Sequence, residues 1–217
     1  ADLTNLPLLE HAARKGKPMI LSTGMANMQM VQNAFDTVKA HNNQIAILQC
    51  TSTYPSVFNE INLNVIKTFK EVFPNSVIGY SGHELGISIT EAAVVLGAKI
   101  VERHFTLDRT MKGGDHAASL EPGGFAKMVR DIRHIEQAMG KSEKEVQESE
   151  APIFKKLAKS IVSAVAIPNG TIITQAMLTT KGPGTGISPS RIKEILGKIA
   201  TRNIKADEII YESDVKF

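Results

Sequence analysis

The sequence is poor in cysteine and in aromatic residues, and it contains no long apolar run. Cys50 is the only cysteine in 217 residues, tryptophan is absent, and aromatic residues make up 5%. A single cysteine excludes an internal disulfide and favours a reducing compartment, so we expect a cytoplasmic location. No segment has the pattern of a membrane span or of a signal peptide, and we expect no membrane partner.

The sequence also has no large excess of positive or of negative residues. The chain has 25 Lys and Arg against 22 Asp and Glu, for a net charge of +3, and the two signs are interspersed. Because nucleic-acid-binding proteins concentrate basic residues on one face or segment, this pattern argues against a nucleic-acid partner. The remaining composition, 42% hydrophobic and 22% charged, is that of an ordinary globular protein.

Short apolar runs alternate with amphipathic segments from residue 1 to about 140, a pattern typical of an α/β fold. The continuous apolar runs predict a buried parallel sheet. Their spacing is close to the roughly 31 residues that each unit of a (β/α)8 barrel occupies, which predicts half a barrel. Together with Ala1 in place of Met, this leads us to expect a fragment. The predicted strands are 19–22, 45–50, 76–80 and 99–102, and the predicted helices are 6–15, 28–40, 63–72, 87–96 and 122–139.

The character of the sequence changes near residue 140. We expect three parts: a partial barrel at 1–140, a charged linker at 141–156, and a small, mostly β domain at 157–217. In the last part, a strand at 161–167 precedes a Pro-Asn-Gly turn. A Gly/Pro-rich loop at 181–186, a short helix at 188–196 and a strand at 209–211 follow.

Two histidines, His83 and His104, each stand just past the end of a predicted strand. A strand–helix–strand unit brings both strand ends to one edge of a parallel sheet, where such sheets build their active sites. Two neutral imidazoles at that edge could share a divalent metal. The alternative is two unrelated polar residues in loops, but their matching positions on successive strands favour the metal.

Small polar residues follow three of the strands, as in Ser22-Thr23-Gly24, Thr51-Ser52-Thr53 and Ser81-Gly82. Hydroxyl and backbone donors at a sheet edge suit a phosphate or carboxylate, so three such loops in register favour an anion site. Each serine taken alone is more typical of a helix N-cap. A Gly-Gly loop carrying Asp115 either closes over the site or is an exposed polar loop with a turn-stabilising Asp.

Five segments of the first part carry a family resemblance: KPMILSTGM (17–25), LQCTSTYP (48–55), GYSGHE (79–84), ERHFTLD (102–108) and KGGDHAASLEP (112–122). Together they resemble the sialic acid synthase family, most of all its animal-type N-acetylneuraminate (9-phosphate) synthases. The tail from about Leu157 resembles the family's SAF, or antifreeze-like, β-clip domain. The resemblance implies the C-terminal half of a (β/α)8 TIM barrel, strands five to eight, followed by the SAF domain.

The resemblance also implies an activity: phosphoenolpyruvate condenses with N-acetylmannosamine or its 6-phosphate, and inorganic phosphate is released. A divalent metal, typically Mn²⁺, would act as a Lewis acid on the sugar's aldehyde oxygen. The whole enzyme would be a homodimer in which each SAF domain covers the partner's barrel. The matching residues are His83 and His104 for the metal, Ser22, Ser52 and Ser81 for phosphoenolpyruvate, Tyr54 and Asp115 for the sugar, and Asp2 as acid or base.

This chain departs from the family in several places. The first half-barrel, with lysines that neutralise phosphoenolpyruvate and a further glutamate, has no counterpart here, which should weaken binding of that substrate severely. Bacterial members carry Glu at Asp2 and Asn at Ser52, so these residues agree with the animal type. Gly182, beside Lys181, stands where a bacterial SAF domain offers an arginine. The alternative function is a short, non-catalytic protein that binds a metal, a sugar or a partner.

Overall fold

The computed structural model describes residues 2–217, which divide into two compact units, one up to Lys141 and one from Ser142 onward. Residues 141–150 are exposed throughout, as expected of a charged connector. The remainder of the segment interpreted as a linker is largely helical, because a helix covers Ala151–Leu157. No helix within residues 2–217 combines the length and the hydropathy needed to cross a bilayer.

The first unit is a parallel sheet with helices between its strands. Its strands are Met19–Ser22 (β1), Ile45–Cys50 (β2), Val77–Gly82 (β3) and Ile100–Arg103 (β4), and its helices are Leu6–Ala13 (α1), Met28–Lys39 (α2), Val65–Val72 (α3), Ser88–Val95 (α4) and Pro122–Met139 (α5). Each strand pairs in parallel with the next along the chain, in the order β1-β2-β3-β4. The predicted half-barrel is therefore confirmed, with strand ends within two residues of those predicted.

Helix α2 shows how the sequence determines these elements. Asn27 caps the helix, because its side-chain oxygen accepts a hydrogen bond from the Met30 amide at 3.0 Å. Val31, Ala34 and Val38 recur at helical spacing and are buried. The helix thus presents one apolar stripe to the core and leaves its polar face exposed.

Alternate strand residues face opposite sides of the sheet. Leu21, Ile47 and Tyr80 belong to the core that the helices cover. The opposite, inner face carries two rows of paired residues: Ser22, Leu48, Gly79 and Ile100 in the first row, and Cys50, Ser81 and Glu102 in the second.

The inner face is closely packed in the middle of the sheet and uncovered at its edge. A Cβ on Gly79 would lie 2.3 Å from Leu48 Cδ2 and 2.6 Å from the Ile100 carbonyl oxygen, so only glycine fits there. Ile20 on edge strand β1 is 55% exposed. Four strands cannot close a barrel around such residues, because a small closed barrel needs about eight.

The second unit contains short antiparallel pairs around an isoleucine-rich core. Strand β5 pairs with β6, and β7 pairs with β8. The core includes Ile161, Ile195, Ile204 and Ile210, each exposed by 1% or less. The elements are Ala151–Leu157 (α6), Ser160–Ser163 (β5), Leu178–Lys181 (β6), Ile192–Ile195 (α7), Ile199–Ala200 (β7) and Val215–Lys216 (β8).

Several element boundaries predicted for this unit are wrong. The strand predicted at 161–167 ends at Ser163, and the helix predicted at 188–196 is a 3-10 turn followed by α7. The segment 209–211 is not a strand, because Ile209 makes only an isolated bridge with Val162. Its backbone bonds instead to residues distant in sequence, as when the Ile210 amide donates to the Ile161 carbonyl at 2.9 Å.

One ion-pair network joins the end of the second unit to the loop after β7. Arg202 donates from Nε to Asp214 Oδ1 at 2.6 Å and from Nη1 to Glu208 Oε1 at 2.8 Å. Burial alone would raise the pKa of Asp214, but its hydrogen bonds to Arg202 and to the Tyr211 amide lower it on balance. The Lys205 amide and Arg202 lower the pKa of Glu208.

The network predicts acid sensitivity of the second unit. Carboxyl groups with lowered pKa values stabilise the fold above their ordinary values of 3.8 and 4.5, and that stability is lost as the pH falls through the folded-state values. Arg202→Met should therefore destabilise the unit more at pH 7 than at pH 3. Hydrogen exchange of the core amides of Ile161 and Ile204 measures this, and an equal loss at both pH values would contradict the prediction.

Candidate functional site

Both histidines lie at the carboxyl edge of the parallel sheet. His83 follows β3 and His104 follows β4, and each is half-buried. Their ring centroids are 4.9 Å apart, with an angle of 81° between the ring planes. The sheet thus brings together two imidazoles that are 21 positions apart in the sequence.

Tyr54 packs against both rings. It stacks on His104 at 4.4 Å between centroids and meets His83 edge-on at 5.5 Å. Its hydroxyl donates to the Asp115 carbonyl at 2.8 Å and lies 3.0 Å from Ser119 Oγ. The loop after β2 and the loop after β4 therefore meet at this aromatic ring.

The surroundings of His83 determine which of its nitrogens is available. Nδ1 lies 2.7 Å from the Thr51 carbonyl oxygen, and Cys50 Sγ is 3.8 Å from the same nitrogen. A carbonyl oxygen can only accept, so Nδ1 carries a proton, and in the neutral ring the lone pair is on Nε2. A carbonyl on the far ring nitrogen is the usual orientation of a metal-binding histidine.

His104 contacts the loop that carries Asp115. Its Nδ1 is 3.6 Å from Asp115 Oδ2, at the outer limit of an ion pair. Its carbonyl accepts a hydrogen bond from the Leu120 amide at 2.9 Å, which holds the end of the loop against β4. Asp115 is mostly exposed, whereas Ser119 beside it is buried.

The loop itself is tied down by its own polar groups. The turn-stabilising aspartate is Asp108, whose Oδ1 accepts from the Thr110 amide at 2.7 Å. His116 Nδ1 lies 2.7 Å from Thr106 Oγ1, and Arg109 Nε donates to the Ala117 carbonyl at 2.7 Å. Asp115 is left free of that turn.

The three candidate serines have different surroundings. Ser81 is 2% exposed and donates to Glu102 Oε1 at 2.9 Å. Ser52 is exposed, and its Oγ occupies the space beside Gly24, where an added Cβ would lie only 1.9 Å away. Ser22 is exposed at the end of edge strand β1.

Asp2 lies outside this group of contacts. It is exposed in the 3-10 helix Asp2–Thr4, and its Oδ1 accepts from Asn5 Nδ2 at 3.3 Å. Its role as an acid or base therefore remains a prediction from the resemblance.

Reasoning from the sequence alone missed Glu102. Glu102 is exposed on the inner face, one row below the histidines, and it holds the Ser81 hydroxyl. The two-residue period of strands contained the signal, because Glu102 precedes His104 just as Ser81 precedes His83. An exposed carboxylate opposes a bound anion, so an anion here needs cationic groups beyond those named above.

The two histidines fit as part of a divalent-metal site. Within residues 2–217, no group of three or more His, Cys, Asp or Glu side chains is arranged to hold a metal ion. Two imidazoles alone are an incomplete set for Mn²⁺, which prefers six ligands rich in oxygen. Water, substrate or groups from another segment would have to complete it.

Comparison with known proteins identifies the family of this chain. The profile of the NeuB family matches residues 1–144, and that of the SAF domain matches residues 158–216. The chain belongs to the NeuB family. The resemblance to sialic acid synthases with a C-terminal SAF domain is thereby confirmed.

Similar NeuB-family proteins extend beyond this chain. Human N-acetylneuraminate-9-phosphate synthase is 46% identical over 212 residues, which cover 97% of this chain and 59% of the human protein. The N,N'-diacetyllegionaminic acid synthase of Campylobacter jejuni is 45% identical over 97% of this chain and 64% of its own length. The crystal structure of the spore coat polysaccharide biosynthesis protein of Bacillus subtilis matches all of this chain and 66% of its own, with 33% identity and a TM-score of 0.61. The chain thus spans about 60% of the curated relatives' length.

The Tyr54 hydroxyl generates a prediction for the loop after β4. Tyr54→Phe removes one hydrogen bond to the Asp115 carbonyl, which contributes about 1 kcal/mol. The amides of Ser119 and Leu120 should then exchange about fivefold faster. Hydrogen exchange measures this, with the second-unit amide of Ile204 as internal control, and unchanged loop rates would contradict it.

Proposed function

We propose that this chain is the metal-binding and acceptor-binding part of a phosphoenolpyruvate-dependent synthase that makes N-acetylneuraminate or its 9-phosphate. The observation that carries the proposal is the cluster of His83, His104 and Tyr54 at the carboxyl edge of a NeuB-family half-barrel. An open sheet edge with two imidazoles and an aromatic ring is suited to a polar carbonyl substrate.

The proposed reaction forms one carbon–carbon bond and one carbon–oxygen bond to water, and it breaks the carbon–oxygen bond to phosphate. The methylene carbon of phosphoenolpyruvate attacks the sugar's aldehyde carbon, whose oxygen takes up a proton and becomes a hydroxyl. Water captures the resulting cation at the carbon that carries the phosphate. Phosphate then leaves, and the water oxygen remains as the new keto oxygen. One water proton ends on the hydroxyl and the other on phosphate.

The residues of this chain would divide the work. His83 and His104 would hold a divalent ion, Mn²⁺ in our proposal, which when bound polarises the aldehyde oxygen. Tyr54 and Asp115 would contact the sugar, and the hydroxyls of Ser22 and Ser52 would donate to phosphoenolpyruvate. Ser81 would do the same after its hydroxyl turns away from Glu102. Asp2 is our candidate for the acid or base.

We propose that activity needs a second half-barrel in addition to this chain. The inner face leaves Ile20 largely exposed, and Glu102 makes that face unfavourable for an anion. Added strands would cover Ile20, and basic side chains on those strands would offset the negative charge of Glu102. The greater length of the relatives is sufficient to contain such a segment.

We also propose that the complete protein is a homodimer in which the SAF domain of each subunit covers the partner's active site. Lys181, whose Nζ is 2.6 Å from Asp207 Oδ1, is the cationic residue nearest in sequence to the position expected to face the sugar. Light scattering of the native polypeptide measures the oligomeric state, and a monomer would contradict this part of the proposal.

The activity is tested with the native polypeptide purified from its source. Incubation with phosphoenolpyruvate, Mn²⁺ and either N-acetylmannosamine or its 6-phosphate should release phosphate and yield a nine-carbon keto acid, detected by mass spectrometry. The 217-residue chain alone should be at least a thousandfold slower, because none of the serines proposed to bind phosphoenolpyruvate is cationic. A native polypeptide that has this chain's mass and no turnover would support the non-catalytic alternative.

The metal site is tested by removing each imidazole in turn. His83→Ala and His104→Ala should each abolish measurable Mn²⁺ binding, since each removes one of the two imidazoles that we propose as ligands. His134→Ala, at an exposed position on α5, is the matched control and should bind like the wild type. Titration calorimetry measures the affinity, and equal affinity in all three variants would exclude the assignment.

A further inference from the structure

We propose that Glu84 and Arg103 form a buried positioning pair that holds His83 and His104 in place, an inference that rests on the proposed function. Glu84 directly follows His83, and Arg103 directly precedes His104. The histidines project to the inner face of the sheet, and their neighbours project to the helix side. One ion pair behind the sheet thus joins the two segments that carry the site.

Arg103 contacts three separate parts of the loop and helix after His83. Its Nη1 donates to Glu84 Oε1 at 2.9 Å, to the Gly86 carbonyl at 2.8 Å and to Thr90 Oγ1 at 2.7 Å. Its Nη2 donates to the Glu84 carbonyl at 2.5 Å. A single planar guanidinium on β4 therefore determines the path of the backbone immediately after His83.

Glu84 is fully surrounded by donors. Its side chain is 0% exposed and that of Arg103 is 2% exposed. Besides Arg103, the Tyr80 hydroxyl donates to Oε2 at 2.7 Å and Thr90 Oγ1 donates to Oε1 at 3.0 Å. Burial and the adjacent Glu84 carboxylate raise the pKa of Tyr80, so that its hydroxyl keeps the proton it donates.

The pair has no room to shift toward the sheet. A Cβ on Gly82 would lie 2.7 Å from Glu84 Oε2 and 3.0 Å from Arg103 Cδ. The network therefore packs directly behind the residue that precedes His83. Movement of the carboxylate or the guanidinium would displace that strand end.

Net stability is a weak reason for this arrangement. A buried ion pair is often no more stabilising than apolar residues of similar volume, because both charges lose their hydration. What the pair adds is geometric specificity. The planar guanidinium of Arg103 can donate to these acceptors in only one arrangement of the loop. Each member of the pair is adjacent in sequence to one of the histidines, Glu84 to His83 and Arg103 to His104.

The test uses the native polypeptide and two variants, Glu84→Gln and Arg103→Lys. Glu84→Gln keeps the shape and removes the charge, and Arg103→Lys keeps the charge and removes the fork. Both should weaken Co²⁺ binding by about tenfold or more, the usual effect of losing a group that orients metal ligands. Both should also change the imidazole ¹⁵N resonances of His83, because the Nδ1 hydrogen bond to Thr51 is no longer held.

A matched control separates positioning from general stability. Ile66, fully buried on α3, belongs to the helix-side core and takes no part in the hydrogen bonds of Glu84 and Arg103. Ile66→Ala should lower the melting temperature at least as much as the two variants while leaving Co²⁺ affinity and the histidine resonances unchanged. Equal losses of affinity in all three proteins would overturn the positioning role.

The two proposals fail differently. If the wild type binds no Co²⁺ or Mn²⁺, the proposed metal chemistry is overturned, and the ¹⁵N resonances alone decide the positioning role. If the wild type binds metal and both variants bind it equally well with unchanged resonances, the positioning role is overturned and the proposed function stands. If Glu84→Gln and Arg103→Lys bind Co²⁺ more weakly and shift the histidine resonances, and Ile66→Ala does neither, both proposals are supported.

Discussion

The parallel register of β2, β3 and β4 is the constraint on which the candidate site depends. It places Cys50, Ser81 and Glu102 side by side, and the next inward-facing positions are then those of His83 and His104. A slip of one residue would turn every one of these side chains to the helix side. Glycine at position 79 supports this register, because the close approach of Leu48 and the Ile100 carbonyl admits no side chain there.

The two faces of the sheet have divided roles at its carboxyl edge. The inner face carries the imidazoles and the exposed carboxylate of Glu102, and the helix side carries the buried pair of Glu84 and Arg103. Charge is thus exposed on the inner face, and on the helix side the two buried charges pair with each other. The same two-residue period produces both arrangements.

The candidate site is electrostatically incomplete for the proposed chemistry. Tyr54 links the loops after β2 and β4, so the side proposed for the acceptor is well organised around His104. Of the three serines expected to bind an anion, Ser81 donates its hydroxyl to the Glu102 carboxylate. The inner-face residues described above are thus two imidazoles, an aromatic ring and a carboxylate, with no cationic side chain among them, and the relatives are longer than this chain.

Local pattern by itself determined the elements of the first unit, the class of its sheet and the strand ends on which the histidines stand. Strands of four to six residues that begin with apolar runs and alternate with amphipathic helices leave few alternatives, and β1 and β2 have their predicted bounds. The second unit was harder, because its strands are two to four residues long and segment 209–211 bonds only to distant backbone. The pairing of Glu84 with Arg103, the hydrogen bond of Ser81 to Glu102 and the stacking of Tyr54 on His104 were decided by the tertiary structure alone. Each joins residues between 19 and 50 positions apart, and only the packing of neighbouring strands and loops brings them into contact.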